Sequence, residues 1–264
     1  MVKFIALLSL LYLLWSCSSY NNVLKGDDYS SKYTLANELY AQNTKRSLDR
    51  AIVLYEQIFQ HAPKTKEGEL SYFLMAKCYF ANQDYYMAGY FFGSYIQWYP
   101  YSFRNEEALF LSAMCNVNNS PKWSLDQTET YEALNAVQQF IDKYPSSPLL
   151  DSCNKLIDAL SYKLEFKDYN KVMLYDKTLN YKAAVAYADI FLEKFPLSMH
   201  EEEVRSWAVK NAYLLAQNSI ESKKKERIEE TIQRYRTFVD DFPSSLYLNG
   251  LKTLLKPLEK DYEF

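Results

Sequence analysis

Residues 69–102 read ELSYFLMAKCYFANQDYYMAGYFFGSYIQWYPYS, and this stretch decides the fold. Glu69 to Phe80 sets Tyr72, Met75, Ala76 and Tyr79 on one stripe at helical spacing. Asn82-Gln83-Asp84 then turns the chain, since all three residue types tolerate or cap a tight reversal. A second helical pattern follows and stops near Pro100, which cannot continue a helix.

The closing phrase of this stretch recurs. It reads Gln60-His61-Ala62-Pro63, Gln97-Trp98-Tyr99-Pro100, Asp142-Lys143-Tyr144-Pro145, Glu193-Lys194-Phe195-Pro196 and Asp240-Asp241-Phe242-Pro243. Twelve residues before each proline stand Ala51, Ala88, Ala133, Ala184 and Thr231; eight before stand Tyr55, Phe92, Val137, Ala188 and Tyr235. Five and four before stand Ile58/Phe59, Tyr95/Ile96, Phe140/Ile141, Phe191/Leu192 and Phe238/Val239. These offsets trace one face of a helix, so each proline is expected to end a helix with that face buried.

With Tyr72, Met75, Ala76, Tyr79, Ala88, Phe92 and Pro100 in order, residues 69–102 resemble the tetratricopeptide repeat (TPR), a helix pair of about 34 residues. Successive prolines lie 37, 45, 51 and 47 residues apart, so the later units are longer. The excess maps to Asn118–Thr128, Phe166–Asp176 and Gln217–Arg227. The expected architecture is an all-α, TPR-like α-solenoid of about five helix pairs. A terminal helix from Tyr247 caps it, its end frayed around Pro257. A seam near Pro145-Ser146-Ser147-Pro148 divides an N-terminal block of three pairs (29–147) from a C-terminal block of two longer pairs and the cap (148–264).

Composition agrees with helix pairs and excludes several function classes. The 264 residues hold only 5 glycines beside 25 Tyr, 15 Phe and 4 Trp, too little glycine for a β-sandwich or a phosphate-cradling loop. A formal charge of −3 with mixed signs gives no electrostatic reason to bind nucleic acid. The apolar residues are too evenly spread for several membrane spans.

Residues 1–16 stand apart as a signal. Lys3 precedes an eleven-residue apolar run, Phe4 to Leu14, where a spanning helix needs about 20. The run ends in Leu14-Trp15-Ser16-Cys17 and gives way to polar residues, which resembles a bacterial lipobox with a bulky Trp at −2. The resemblance implies removal of the signal, acylation of Cys17, and a tether over 17–28. Ser18 after the cysteine, in place of an acidic residue, favours the outer membrane. Several acyl chains on one residue anchor stably, each buried CH₂ adding about 0.8 kcal/mol.

Catalytic chemistry finds no foothold. Neither G-x-x-x-x-G-K-[ST], G-x-G-x-x-G nor G-x-S-x-G occurs, and the 2 histidines offer little general base. His200-Glu201-Glu202-Glu203 reads as an acidic helix start rather than a metal site. Cys78, Cys115 and Cys153 fall inside apolar helical patterns, as small buried side chains do. Lys223-Lys224-Lys225-Glu226-Arg227 reads as a solvated loop between helices. No enzyme activity, metal or cofactor is therefore expected.

The first helix of each pair lines the inner surface of a TPR array. Placing the repeat pattern on this chain predicts a peptide groove of Tyr33, Asn37 and Tyr40, then Phe73, Lys77 and Phe80, then Phe110 and Met114. The lipobox, the short tether, the helix pairs and the recurrent aromatic-Pro-x-Ser phrase together resemble the BamD family, lipoproteins of the outer-membrane β-barrel assembly machinery. The resemblance implies a periplasm-facing, lipid-anchored scaffold with no nucleic-acid partner. Its N-terminal repeats would receive targeting segments of unfolded outer-membrane proteins, and its C-terminal repeats would dock onto a BamA-type barrel protein, with other assembly lipoproteins as further companions. Glu203 and Arg205 are the expected docking residues. The rival expectation is a TPR lipoprotein serving peptidoglycan or division. A helical enzyme of the lytic transglycosylase kind would need a catalytic domain, and only 21 residues follow Pro243.

Overall fold

The computed structural model describes residues 20–262. The described residues are helical and contain no strand. Residues 20–25 form a short helical turn, followed by α1 (Tyr29–Gln42), α2 (Lys45–His61), α3 (Lys66–Ala81), α4 (Tyr85–Trp98), α5 (Asn105–Asn119) and α6 (Thr128–Lys143). Then come the 28-residue α7 (Leu150–Lys177), α8 (Tyr181–Lys194), α9 (Glu201–Gln217), α10 (Glu221–Asp241), α11 (Leu248–Leu255) and a 3₁₀ turn (Lys256–Lys260). The chain is an all-α, TPR-like array of helix pairs with a terminal cap.

The face traced by the prolines is the core. Every residue twelve, eight and five before the five prolines is buried, from Ala51, Tyr55 and Ile58 to Thr231, Tyr235 and Phe238. Alanine or threonine at the first of these positions lets paired helices approach closely, and the large side chains fill the space beyond. Burying a ring such as Phe92 or Phe191 stabilises by about 1.5–3 kcal/mol over leaving it in water.

Four copies of the aromatic-Pro-x-Ser phrase fold identically. In each, the aromatic N–H donates to the carbonyl four residues back: Tyr99 to Tyr95, Tyr144 to Phe140, Phe195 to Phe191, Phe242 to Phe238. The same two rings pack tilted, with centroids 5.2–5.5 Å apart. The serine N–H donates back to the aromatic carbonyl, and the serine Oγ accepts the N–H two residues on, at Arg104, Leu149, His200 and Tyr247. Proline ends one helix, and serine closes the turn into the next.

The turns inside pairs have their own rule. Asn43, Gln83 and Leu179 each take the left-handed conformation, with φ of 49°, 62° and 58°. After Gln83 and Leu179 the next residue, Asp84 or Asn180, caps the following helix by accepting the N–H of Met87 or Ala183.

The chain divides into two compact units within α7. The first comprises the described residues up to Pro121 with Asp126–Ile157; the second comprises Lys122–Leu125 and the residues from Asp158. In the first unit one core runs through α1 to α5, and a second joins α5, α6 and the start of α7 through Ala113, Val137, Phe140 and Cys153. In the second unit, Val172, Ala188, Phe191, Val204 and Ala208 unite α7, α8 and α9. Ile228, Ile232, Tyr235 and Phe238 of α10 then pack with α9, α11 and the 3₁₀ turn. Trp123 joins this unit by setting its ring edge-on to Phe166 at 5.1 Å.

Two details differ from the sequence reading. The basic run 223–227 is no loop; it lies in the first turns of α10, where Ile228 begins the buried stripe. Nor does the end fray at Pro257. The proline enters the 3₁₀ turn where no N–H is needed, and Leu258 behind it is buried in the core.

Candidate peptide-binding surface

Capping and core packing set the first helices of the first unit. Asp28 caps α1 by accepting the N–H groups of Ser30 and Ser31, and its carboxyl pKa is lowered first by the Ser31 hydroxyl bonded to it and then by these N–H groups. Thr44 and Ser47 form a reciprocal capping box on α2. Gly68 lets α3 begin against the end of α2, for a Cβ there would sit 2.0 Å from the Ala62 carbonyl oxygen.

The predicted groove residues fall into different roles. Tyr33 is half-buried, edge-on to Tyr55 at 6.5 Å, and borders a cleft of about 480 Å³ with Tyr29, Ile58, His61 and Glu67. Tyr29 and His61 stack at 3.7 Å on its wall. Asn37 Oδ1 accepts the Tyr55 hydroxyl at 2.8 Å, so Asn37 satisfies a buried phenol. Burial holds that phenol well above its ordinary pKa, helped by Cys78, Tyr33 and Tyr40 nearby. Tyr40 packs half-buried on the same core.

Phe73 lies inside the core, 3% exposed and packed on Phe92 and Tyr95, so its ring is spent on the fold. Lys77 bonds Glu107 of α5 at 3.0 Å and lies over the Phe73 ring, tying the first helices of two successive pairs together. Phe80 is half-buried against Tyr85, Phe110 against Phe140, and Met114 is half-buried. Tyr33, Tyr40, Phe80, Phe110 and Met114 thus stay partly exposed, and Lys77 and Glu107 form a polar pair between α3 and α5.

In the second unit Glu203 and Arg205, the residues expected to dock, point apart. Glu203 accepts the Tyr169 hydroxyl at 2.8 Å, and Tyr169 stacks on His200 and Trp207. Burial, then this bond, drives the Tyr169 phenol pKa up. Arg205, two residues on and so roughly 200° round the helix, pairs with Glu201 at 2.8 Å and Asp241 at 3.2 Å. Arg205 borders a cleft of about 280 Å³ with Asp189, Leu192, Arg234 and Thr237. Arg234 there is clamped by Asp189 through two bonds of 2.6 and 2.8 Å.

The sequence reading missed the outer face of α4. Tyr86 (70% exposed), Tyr90 and Trp98 project from it, and Tyr101 and Phe103 follow in the open turn. The signal was present: no charged residue stands between Asp84 and Arg104. The three cysteines Cys78, Cys115 and Cys153 are buried free thiols, and burial pushes the first two up to about 12. Among the described residues no group of His, Cys, Asp and Glu could hold a metal ion, and no helix is long and apolar enough to cross a membrane. Cys17 lies outside the described residues.

Helix pairs in sequence, with partly exposed aromatics and small clefts, make up a TPR-like repeat protein. The chain belongs to the YfiO (BamD) family of outer membrane lipoproteins, which matches residues 29–185. No curated protein matches the sequence. Among solved structures, a crystal structure of nearly identical TPR-like repeats of a kinesin light chain from Podospora anserina is similar at 12% identity, covering 82% of this chain and 96% of that one, with a TM-score of 0.34.

Proposed function

We propose that this chain is a lipid-anchored scaffold of the machinery that inserts β-barrel proteins into the outer membrane. Cys17 carries the acyl chains, and the helix pairs face the periplasm. The three N-terminal pairs receive targeting segments of unfolded outer-membrane proteins along Tyr33, Tyr40, Phe80, Phe110 and Met114. The two longer C-terminal pairs dock onto a BamA-type barrel protein, with Arg205 and its cleft at the contact and Glu203 holding Tyr169 in place behind it. Other assembly lipoproteins are further partners.

Membership of an outer membrane lipoprotein family carries this reading. The half-exposed aromatics support it, because large rings with few rotors give contact area at low entropic cost. Tethering would hold the surface at the membrane and raise its effective concentration beside the barrel protein. Crosslinking in native membranes followed by mass spectrometry tests the proposal. A barrel protein with periplasmic repeat domains is the expected partner, and cell-wall enzymes in its place would favour the peptidoglycan or division role. Retention of the barrel partner after deletion of 148–264 would overturn the assignment of docking to the C-terminal block.

A further inference from the structure

Residues 20–25 do not hang loose. The Tyr20 hydroxyl donates to the Arg50 carbonyl of α2 at 3.3 Å, and the Arg50 guanidinium lies over the Tyr20 ring at 4.7 Å. Four residues on, the buried Lys32 of α1 donates to the Leu24 carbonyl at 3.2 Å and to Gln57 of α2 at 2.7 Å. Tyr20 and Leu24 also pack on the main core of the first unit. The start of the described chain is therefore fixed to the first helix pair.

Covalent geometry then limits the anchor. Three peptide steps separate Cys17 from Tyr20, a reach of at most about 11 Å. The headgroup layer itself is roughly 5–8 Å thick on each side of a bilayer. An acylated Cys17 must therefore bring Tyr20, and the part of α2 that holds it, to the membrane surface.

That part of α2 is basic. Lys45 and Arg46 occupy its first turn and are exposed, and Arg46 shares a stripe with Arg50 four residues later. Cations are misplaced at a helix N-terminus, where the macrodipole favours acids. Helix stability gives no reason for them; an anionic surface does. A second membrane contact of this kind commonly supplements an acyl anchor.

We infer that the Lys45–Arg46–Arg50 face of α2 lies on the leaflet that holds the anchor and binds anionic phospholipid headgroups, fixing the orientation of the first helix pair. This rests on acylation of Cys17. Charge at this range is felt, because the Debye length is about 8 Å at physiological salt.

The test uses the full acylated chain in vesicles, with a dye on Val53→Cys and, separately, on Tyr101→Cys. Val53 is exposed on the stripe of Arg46 and Arg50, while Tyr101 is fully exposed in the turn after the second helix pair. The native cysteines Cys78, Cys115 and Cys153 are buried. With headgroup-quencher lipids and phosphatidylglycerol, the Val53 dye should be quenched at least threefold more than the Tyr101 dye. Phosphatidylcholine alone, or the K45E/R46E pair, should abolish most of that difference while flotation with vesicles persists. Acids at these two positions suit the helix start, so the variant should keep its circular dichroism. Equal quenching at both sites, or no response to charge, in a chain that floats would overturn the orientation alone. A chain that fails to float and carries no acyl mass on Cys17 would overturn the anchor, and the orientation with it.

Discussion

Glu69 accepts the Ser102 hydroxyl at 2.6 Å, and Glu165 accepts the Ser198 hydroxyl at the same separation of 33 residues. The serine belongs to the aromatic-Pro-x-Ser turn, and the glutamate to the first helix of the pair that the turn ends, α3 for Glu69 and α7 for Glu165. In the first copy Glu69 also accepts the Tyr95 hydroxyl at 2.7 Å. One carboxylate thus holds two hydroxyls at the joint between helix pairs. Glu69→Ala should cost the first unit about 1–3 kcal/mol, since it strands polar groups in a half-buried site. The urea midpoint followed by tryptophan fluorescence should fall with unchanged slope. Glu165→Ala should act instead on the second unit.

Alkali should unfold the first unit early. Cys78 and Cys115 have thiols raised from 9 to about 12 by burial, and Tyr95 rises from 10 to about 12, also through burial first. The folded state binds these protons more tightly than the unfolded state. Their contribution is therefore complete below about pH 9 and lost as pH climbs through 12. Far-UV circular dichroism against pH should show that fall, and Cys78→Ala should make its onset shallower. A stability profile flat from pH 9 to 12 would contradict this.

Leu179 holds φ at 58° where its counterpart turns use Asn43 and Gln83. A left-handed conformation costs a branched residue about 1–2 kcal/mol, and Asn bears it better. Leu179→Asn should raise stability by up to about 1 kcal/mol, seen as a higher melting temperature of the second unit. The side chain is exposed, so little packing is lost.

Two glycines predict opposite signs. Gly68→Ala would drive a methyl group to within 2.0 Å of backbone at Ala62 and should cost more than about 2 kcal/mol. Gly93→Ala meets nothing within 4 Å in the middle of α4 and should stabilise by about 0.5–1 kcal/mol. Thermal melts of the two variants side by side would decide.

Peptide capture should separate surface rings from core rings. Tyr33→Ala and Met114→Ala should weaken binding of an unfolded outer-membrane protein segment about tenfold with an unaltered melt. Phe73→Ala should instead cost about 3–5 kcal/mol of stability, because its ring fills the core. Isothermal titration paired with the melt distinguishes the two kinds of loss.

The core was legible in the sequence because five copies of one register leave the same positions facing inward, and Ala51, Phe92 and Phe191 need no knowledge of their neighbours. The buried cysteines and the acidic start of α9 were legible for the same local reasons. The bond of Glu69 to Ser102 was not, since periodicity says nothing of which polar groups meet 33 residues apart. Nothing local in the sequence marks Lys32 for burial; its ammonium is taken up by the Leu24 carbonyl and by Gln57 of α2. The basic run of α10 resembled a loop because a helix can begin in solvent before its buried stripe starts at Ile228. Among the groove residues, Phe73 and Tyr33 obey one pattern yet differ in exposure, which depends on what the neighbouring helix brings.

Every core described here is built from helices that are neighbours in the chain. Such a molecule has low contact order, and its first pair already possesses most of its packing partners once α3 exists. A chain that emerges from its N-terminus can therefore acquire structure in the order in which it arrives, each pair templating the next. The protein need not wait for its own C-terminus, and little apolar surface stays open while the rest of the chain arrives.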